Sequence, residues 1–162
     1  MRKWITAAVC MSLVIGVVGM VTASSRYENI ISIIEVEKAT GIKGLKQVPR
    51  QKAVGGITGN KELTGDINFV QANDQPVIAV QFLPSFAFDE FKGDSGFIKA
   101  QVQGIGDEAY TGPSFDPQTS VNFVKGGTYV TVSTLIDPRD KKKAVLPIEQ
   151  VIAVAKVIAA RI

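Results

Sequence analysis

Histidine is absent from this 162-residue chain, and its one cysteine (Cys10), one tryptophan (Trp4) and three methionines (Met1, Met11, Met20) all lie before residue 21. Beyond that point the chain has neither imidazole nor sulphur. Histidine-based proton shuttling, cysteine nucleophiles, disulfides and the usual zinc ligand sets are therefore excluded there. A serine nucleophile would have to use a lysine or a carboxylate as its base. None of Ser85, Ser95, Ser114, Ser120 or Ser133 stands in a Ser-x-x-Lys or Gly-x-Ser-x-Gly setting. The acids around 89–95 lack the alternation of a calcium loop. The glycine-rich run 55–61 lacks the Gly-Lys-Ser/Thr ending of a phosphate loop. No metal, cofactor or catalytic residue is predicted.

An excess of either charge is missing too. Taking Arg2 and Lys3 from the 18 Lys and Arg leaves 16 basic against 15 acidic side chains. General attraction to nucleic acid is not expected from that balance. Basic residues predominate in 24–61 and 117–162 and acidic ones in 62–116, a segregation expected to cancel where distant strands pair.

What is present begins with an export pattern. Arg2 and Lys3 precede an apolar stretch from 5 to 21, which ends in Val21-Thr22-Ala23, as a leader cut after Ala23 would. An uncleaved anchor is the alternative, because the stretch approaches the shortest that spans a bilayer. Cys10 sits mid-stretch with no lipidation setting around it. The expectation is an exported protein, periplasmic or extracellular, with residues 1–23 as signal peptide and 24–31 as a polar tether. Residues 32–162 are expected to form one domain; cleavage would leave 139 of 162 residues, enough for a single core.

Local patterns then set the elements. Ser32 and Glu35 have capping-box spacing, Ile33, Val36 and Ala39 follow at helical intervals, and Gly41 provides a stop. Residues 42–54 read as a short edge strand and an exposed loop. The runs 66–70 and 77–82 read as a hairpin around Asn73-Asp74-Gln75-Pro76. Residues 85–92, with Phe86, Phe88 and Phe91, read as a short helix whose aromatics anchor the core. In 98–103, Ile98, Ala100 and Val102 alternate with Lys99, Gln101 and Gln103 as in a half-buried strand. A short strand near 108–111 precedes a turn at 113–118. Gly126-Gly127 between 120–125 and 128–135 has the form of a tight hairpin. Residues 137–143 read as a charged connection. From 146 the chain reads as an amphipathic helix with Pro147 in its first turn and a stripe of Ile148, Val151, Ile152, Ala155, Ile158 and Ile162. The predicted class is α+β: a mainly antiparallel sheet covered by an N-terminal helix, a short central helix and a C-terminal amphipathic helix.

Asp107-Glu108 resembles a catalytic carboxylate pair only superficially, since neighbours on an extended chain point to opposite faces. Asp107 is expected to bond turn amides and Tyr110 to pack across the sheet, with Asp89-Glu90 on the solvated side of the central helix. Candidate interaction residues are Tyr110 and Phe115, around the loop to Gln118, and the cations Arg139, Lys141, Lys142 and Lys143. The plain reading of these cations is a solvated loop; a weak contact with anionic headgroups or an acidic partner is the alternative.

The segment Gly104-Ile105-Gly106-Asp107-Glu108-Ala109-Tyr110, followed by Val124-Lys125-Gly126-Gly127-Thr128-Tyr129-Val130-Thr131-Val132 and a terminal amphipathic helix, resembles small exported bacterial domains of unknown function. Similar Gly-x-Gly-Asp-x-Ala-Tyr segments occur in mycobacterial-type secreted lipoprotein domains. The resemblance spans about residues 32–162, brings no catalytic residue with it, and departs from the lipoproteins in lacking a lipidated cysteine. The leading expectation is an exported, non-catalytic binding module facing another exported protein or an envelope component. The alternatives are a carboxylate-dependent envelope enzyme and an inhibitor-like protein that docks a loop into another exported protein.

Overall fold

The computed structural model describes residues 27–49, 66–93, 100–112, 119–137 and 139–162, without the side chains of Pro49, Lys141 and Lys142. The chain forms α1 (Ile33–Thr40), β1 (Lys46–Pro49), β2 (Ile67–Val70), β3 (Pro76–Pro84), α2 (Phe86–Gly93), β4 (Ala100–Gln101), β5 (Glu108–Gly112), β6 (Ser120–Lys125), β7 (Thr128–Thr134), β8 (Ile136–Asp137), β9 (Asp140–Ala144) and α3 (Ile148–Ala159). Seven strands make one sheet in the order β1-β2-β3-β7-β6-β5-β4, and every pair is antiparallel. Two meanders, β1-β2-β3 and β4-β5-β6-β7, thus join through β3 and β7, with α2 on the path between them. The α+β class predicted from the sequence is the one found.

Register explains the layering. Ile78, Val80 and Phe82 lie opposite Thr134, Val132 and Val130, and the last two lie opposite Val121 and Phe123. Ala109 completes the row beside Phe123. One face of the sheet is therefore mainly apolar, with the buried Thr111 and Thr134 at its margins, because strand side chains alternate between faces. Val151, Val154, Ala155 and Ile158 of α3 and Val36 of α1 join these residues in the core. The helix α3 packs on β6 and β7 and against α1.

The start of α1 has the expected capping-box geometry. The Ser32 backbone N–H and Oγ donate to Glu35 Oε2 at 3.0 and 2.7 Å, and the Glu35 N–H donates back to Ser32 Oγ at 3.4 Å. Arg161 ties the ends of the two helices together, donating to Glu35 Oε2 at 3.0 Å, to Glu35 Oε1, and to the Ile30 carbonyl at 2.7 Å. The β6–β7 turn uses Gly126 and Gly127 at φ 55° and 78°, the left-handed pair that a two-residue hairpin requires.

Several expectations are corrected. Tyr27 and Ile31, placed in a polar tether, belong to the packed body. The Tyr27 ring stacks on Phe82 at 4.2 Å and Ile31 is buried in the core. Of the half-buried strand expected over 98–103, Ala100–Gln101 are strand and exposed, and Val102 packs against the core; 98 and 99 lie outside the described residues. From Gln101 to Gln103 the alternation holds, with Gln101 and Gln103 exposed and Val102 inward; Ala100 alone departs from it, on a strand that pairs only with β5 among the described residues. The charged connection at 137–143 is largely strand: β9 pairs with β8 as a separate two-stranded ribbon. Its turn is held by Asp137 Oδ1, which accepts the Arg139 N–H at 2.8 Å. The loop expected after β1, the glycine-rich run 55–61 and the 113–118 turn lie outside the described residues.

Candidate functional site

The second face of the sheet is built differently. After Pro84 the chain turns, the Phe88 N–H bonding the Ser85 carbonyl at 2.9 Å, and α2 crosses over β3, β6 and β7. Phe88 and Phe91, three residues apart, meet the rings that project from this face. Phe88 lies 5.3 Å from Tyr129 and 6.2 Å from Tyr110, and Phe91 lies 6.2 Å from Tyr129. Phe88 is buried, whereas Phe86, expected to anchor the core, is 63% exposed at the start of the helix. Three aromatics spaced 86, 88 and 91 cannot all share one side of a helix, since residues two apart diverge by about 200°.

One turn beyond Phe88, Lys92 carries the charge of the site. Its Nζ donates to Glu108 Oε2 at 2.7 Å, lies 3.5 Å from Asp89 Oδ1, and sits 5.2 Å from the Phe88 ring centroid. Glu108 and Tyr110, two apart on β5, share this face, and the Tyr110 hydroxyl donates to Glu108 Oε1 at 2.6 Å. Across the register, Tyr110 faces Asn122, which faces Thr131. Asn122 Oδ1 accepts from Tyr129 OH at 2.8 Å and from Thr131 Oγ1 at 3.0 Å, and its Nδ2 donates to Ser120 Oγ at 3.1 Å. Among the described residues no buried side-chain nitrogen or oxygen lacks a partner.

Among the described residues, four of the five groups with a displaced pKa meet on this face. The Glu108 hydrogen bond raises Lys92 above its ordinary value. The Lys92 hydrogen bond, seconded by that of Tyr110, lowers Glu108. Tyr110 is raised chiefly by its bond to the Glu108 carboxylate, and Tyr129 by burial. Every displacement leads away from neutrality. The lysine stays protonated, the carboxylate ionised and the phenols intact, so none of these groups is poised to exchange a proton near pH 7. Lys92 and Glu108 are each 31% exposed, so the fixed charge pair remains within reach of a ligand.

Of the candidate interaction residues named from the sequence, Tyr110 alone is described at this site. Phe115 lies outside the described residues. Arg139 is exposed in the β8–β9 turn, Lys141, Lys142 and Lys143 are in β9, and Lys143 Nζ lies 3.8 Å from Asp140 Oδ2. The sequence reading missed Lys92, Glu108, Asn122 and Tyr129 as members of one cluster. The 88/92 and 108/110 spacings each imply a shared face, but only the path of α2 over the sheet joins them. Asp107 behaves as expected: its N–H bonds the Val124 carbonyl at 2.8 Å and its Oδ2 accepts the Gly126 N–H at 3.3 Å. Asp89 and Glu90 lie on the solvated side of α2.

Among the described residues no group of three or more acidic side chains could hold a metal ion, and no helix is long and apolar enough to cross a membrane. Comparison with protein-family models, curated proteins and solved structures gave no match.

Proposed function

We propose that this is an exported, non-catalytic recognition module and that its binding face is the sheet surface beside α2, contacting another exported protein or an envelope component. The convergence of Lys92, Glu108 and Tyr110 under an aromatic helix carries this reading: a fixed charge pair, held on both sides of neutrality, presents a stable pattern and offers no proton. Exposed Phe86 adds an apolar contact, and large aromatics commonly anchor interfaces. Export rests on Arg2, Lys3, the apolar stretch 5–21 and the Val21-Thr22-Ala23 ending.

The test pairs two exposed substitutions on opposite faces. Phe86→Asp is expected to abolish capture of a partner from the native envelope fraction, and Ile34→Asp on α1 to leave it intact. Mass spectrometry of the recovered protein is expected to find Ser24 at its N-terminus. Capture that survives Phe86→Asp and fails with Ile34→Asp would remove the site from the α2 face. Turnover lost in a folded Glu108→Gln variant would replace recognition by catalysis.

A further inference from the structure

The β8–β9 ribbon plays no part in the α2 face and is a sheet of its own. Four cations fall within it, Arg139 in the turn and Lys141, Lys142 and Lys143 along β9, against two acids, Asp137 and Asp140. Both acids are engaged locally: Asp137 Oδ1 accepts the Arg139 N–H at 2.8 Å, and Asp140 lies 3.8 Å from Lys143 Nζ. Beside the cations are two of the four large apolar side chains exposed among the described residues, Leu135 at 42% and Ile136 at 39%. The Val145 N–H bonds the Leu135 carbonyl at 2.7 Å, which holds the apolar end of the ribbon closed.

We infer that this ribbon docks on an anionic lipid surface. Charge complementarity is the first argument: basic residues near a bilayer gain attraction from acidic headgroups, and the gain grows with each added residue. The kind of cation is the second. Three of the four are lysines, compact hydrated point charges suited to a diffuse array of headgroups, whereas bidentate recognition of a discrete carboxylate or phosphate favours arginine. The neighbouring apolar pair is the third, because shallow insertion of apolar side chains beneath a basic layer is how peripheral elements hold a membrane interface. A lysine on an open strand edge also discourages pairing with another chain. That task explains neither three lysines in succession nor exposed Leu135 and Ile136 beside them. The ribbon contains no aromatic side chain, so it offers no stacking platform for single-stranded nucleic acid.

Vesicle co-sedimentation tests the inference on the protein recovered from cells expressing the full chain, using phosphatidylcholine vesicles and equimolar phosphatidylcholine–phosphatidylglycerol vesicles. The protein is expected to prefer the anionic vesicles and to lose that preference in high salt. The triple variant Lys141→Gln, Lys142→Gln, Lys143→Gln is expected to weaken anionic-vesicle binding about a hundredfold, roughly fivefold per lysine. Leu135→Gln with Ile136→Gln is expected to weaken binding and leave its salt dependence unchanged. Leu135, Ile136 and Lys143 are exposed, and an unchanged far-ultraviolet circular dichroism spectrum checks that each variant is folded. Equal binding of the unaltered protein to both vesicles, or a folded triple variant that binds as the unaltered protein does, overturns the inference. Binding to soluble polyglutamate as tight as to anionic vesicles transfers the ribbon to acidic polypeptides and overturns the lipid assignment.

Discussion

On β6, Phe123 is fully buried between Val130 and Ala109 in the core that α1 and α3 cover, while Asn122, one residue earlier, faces the other way and is almost as deeply buried. The first is held by packing alone. The second is held by three hydrogen bonds to Ser120, Tyr129 and Thr131, next to the Lys92–Glu108 pair. The helix-covered face is specified by volume and the α2 face by direction. An apolar core accepts many sequences of the right size, but a polar cluster in which each atom has a partner accepts few.

The comparison is most sharply broken by Phe123→Ala, which leaves a void in the core and is expected to destabilise the fold by about 4 kcal/mol in urea unfolding. Asn122→Ala strands the Tyr129 and Thr131 hydroxyls and is expected to cost about 2 kcal/mol, with Tyr129 fluorescence altered before the fold is lost. If the smaller loss came from Phe123, the division between a face held by volume and a face held by direction would collapse.

The gentlest test concerns acid. Glu35 is brought down from 4.5 to about 2, first by the Ser32 backbone amide, then by the Ser32 hydroxyl and Arg161. Because the folded value is the lower one, its contribution is complete above pH 4.5 and is lost as the pH falls toward 2. Glu108, lowered mainly by Lys92, acts in the same direction on the opposite face. Glu35→Gln is therefore expected to flatten part of the acid limb of a stability–pH profile, and Glu35→Gln with Glu108→Gln to flatten more. Parallel acid limbs for the parent and both variants would show that neither pair couples folding to protons.

Much of the helical face was legible because its signals are local. Ser32 and Glu35 stand three residues apart, Gly126 adjoins Gly127, and the stripe of α3 repeats along a single segment. Even there, Val154 and Ala159, both buried, were outside the predicted stripe, because α3 is covered over a wider arc than one line of residues. The α2 face was less legible because its members are distant. Lys92 and Glu108 are 16 residues apart, and no pattern within either segment announces the other. The β8–β9 ribbon was hidden for another reason. Successive lysines erase the alternation that marks a strand, and their charge suggests a loop. The cross-strand partners of β9, Asp137–Asp140 and Ile136–Ala144, flank the lysines on either side, so the pairing is visible only once β8 is in place.

The Gly104–Tyr110 segment holds a last lesson in its second glycine. At φ 57°, where a side-chain carbon added at its α-carbon would run into the Val124 carbonyl oxygen, Gly106 has no room for any other residue, and Asp107 then clips this corner to the β6–β7 hairpin. Proteins gathered by that string of letters would share a way of folding one corner, and their ligands need have nothing in common.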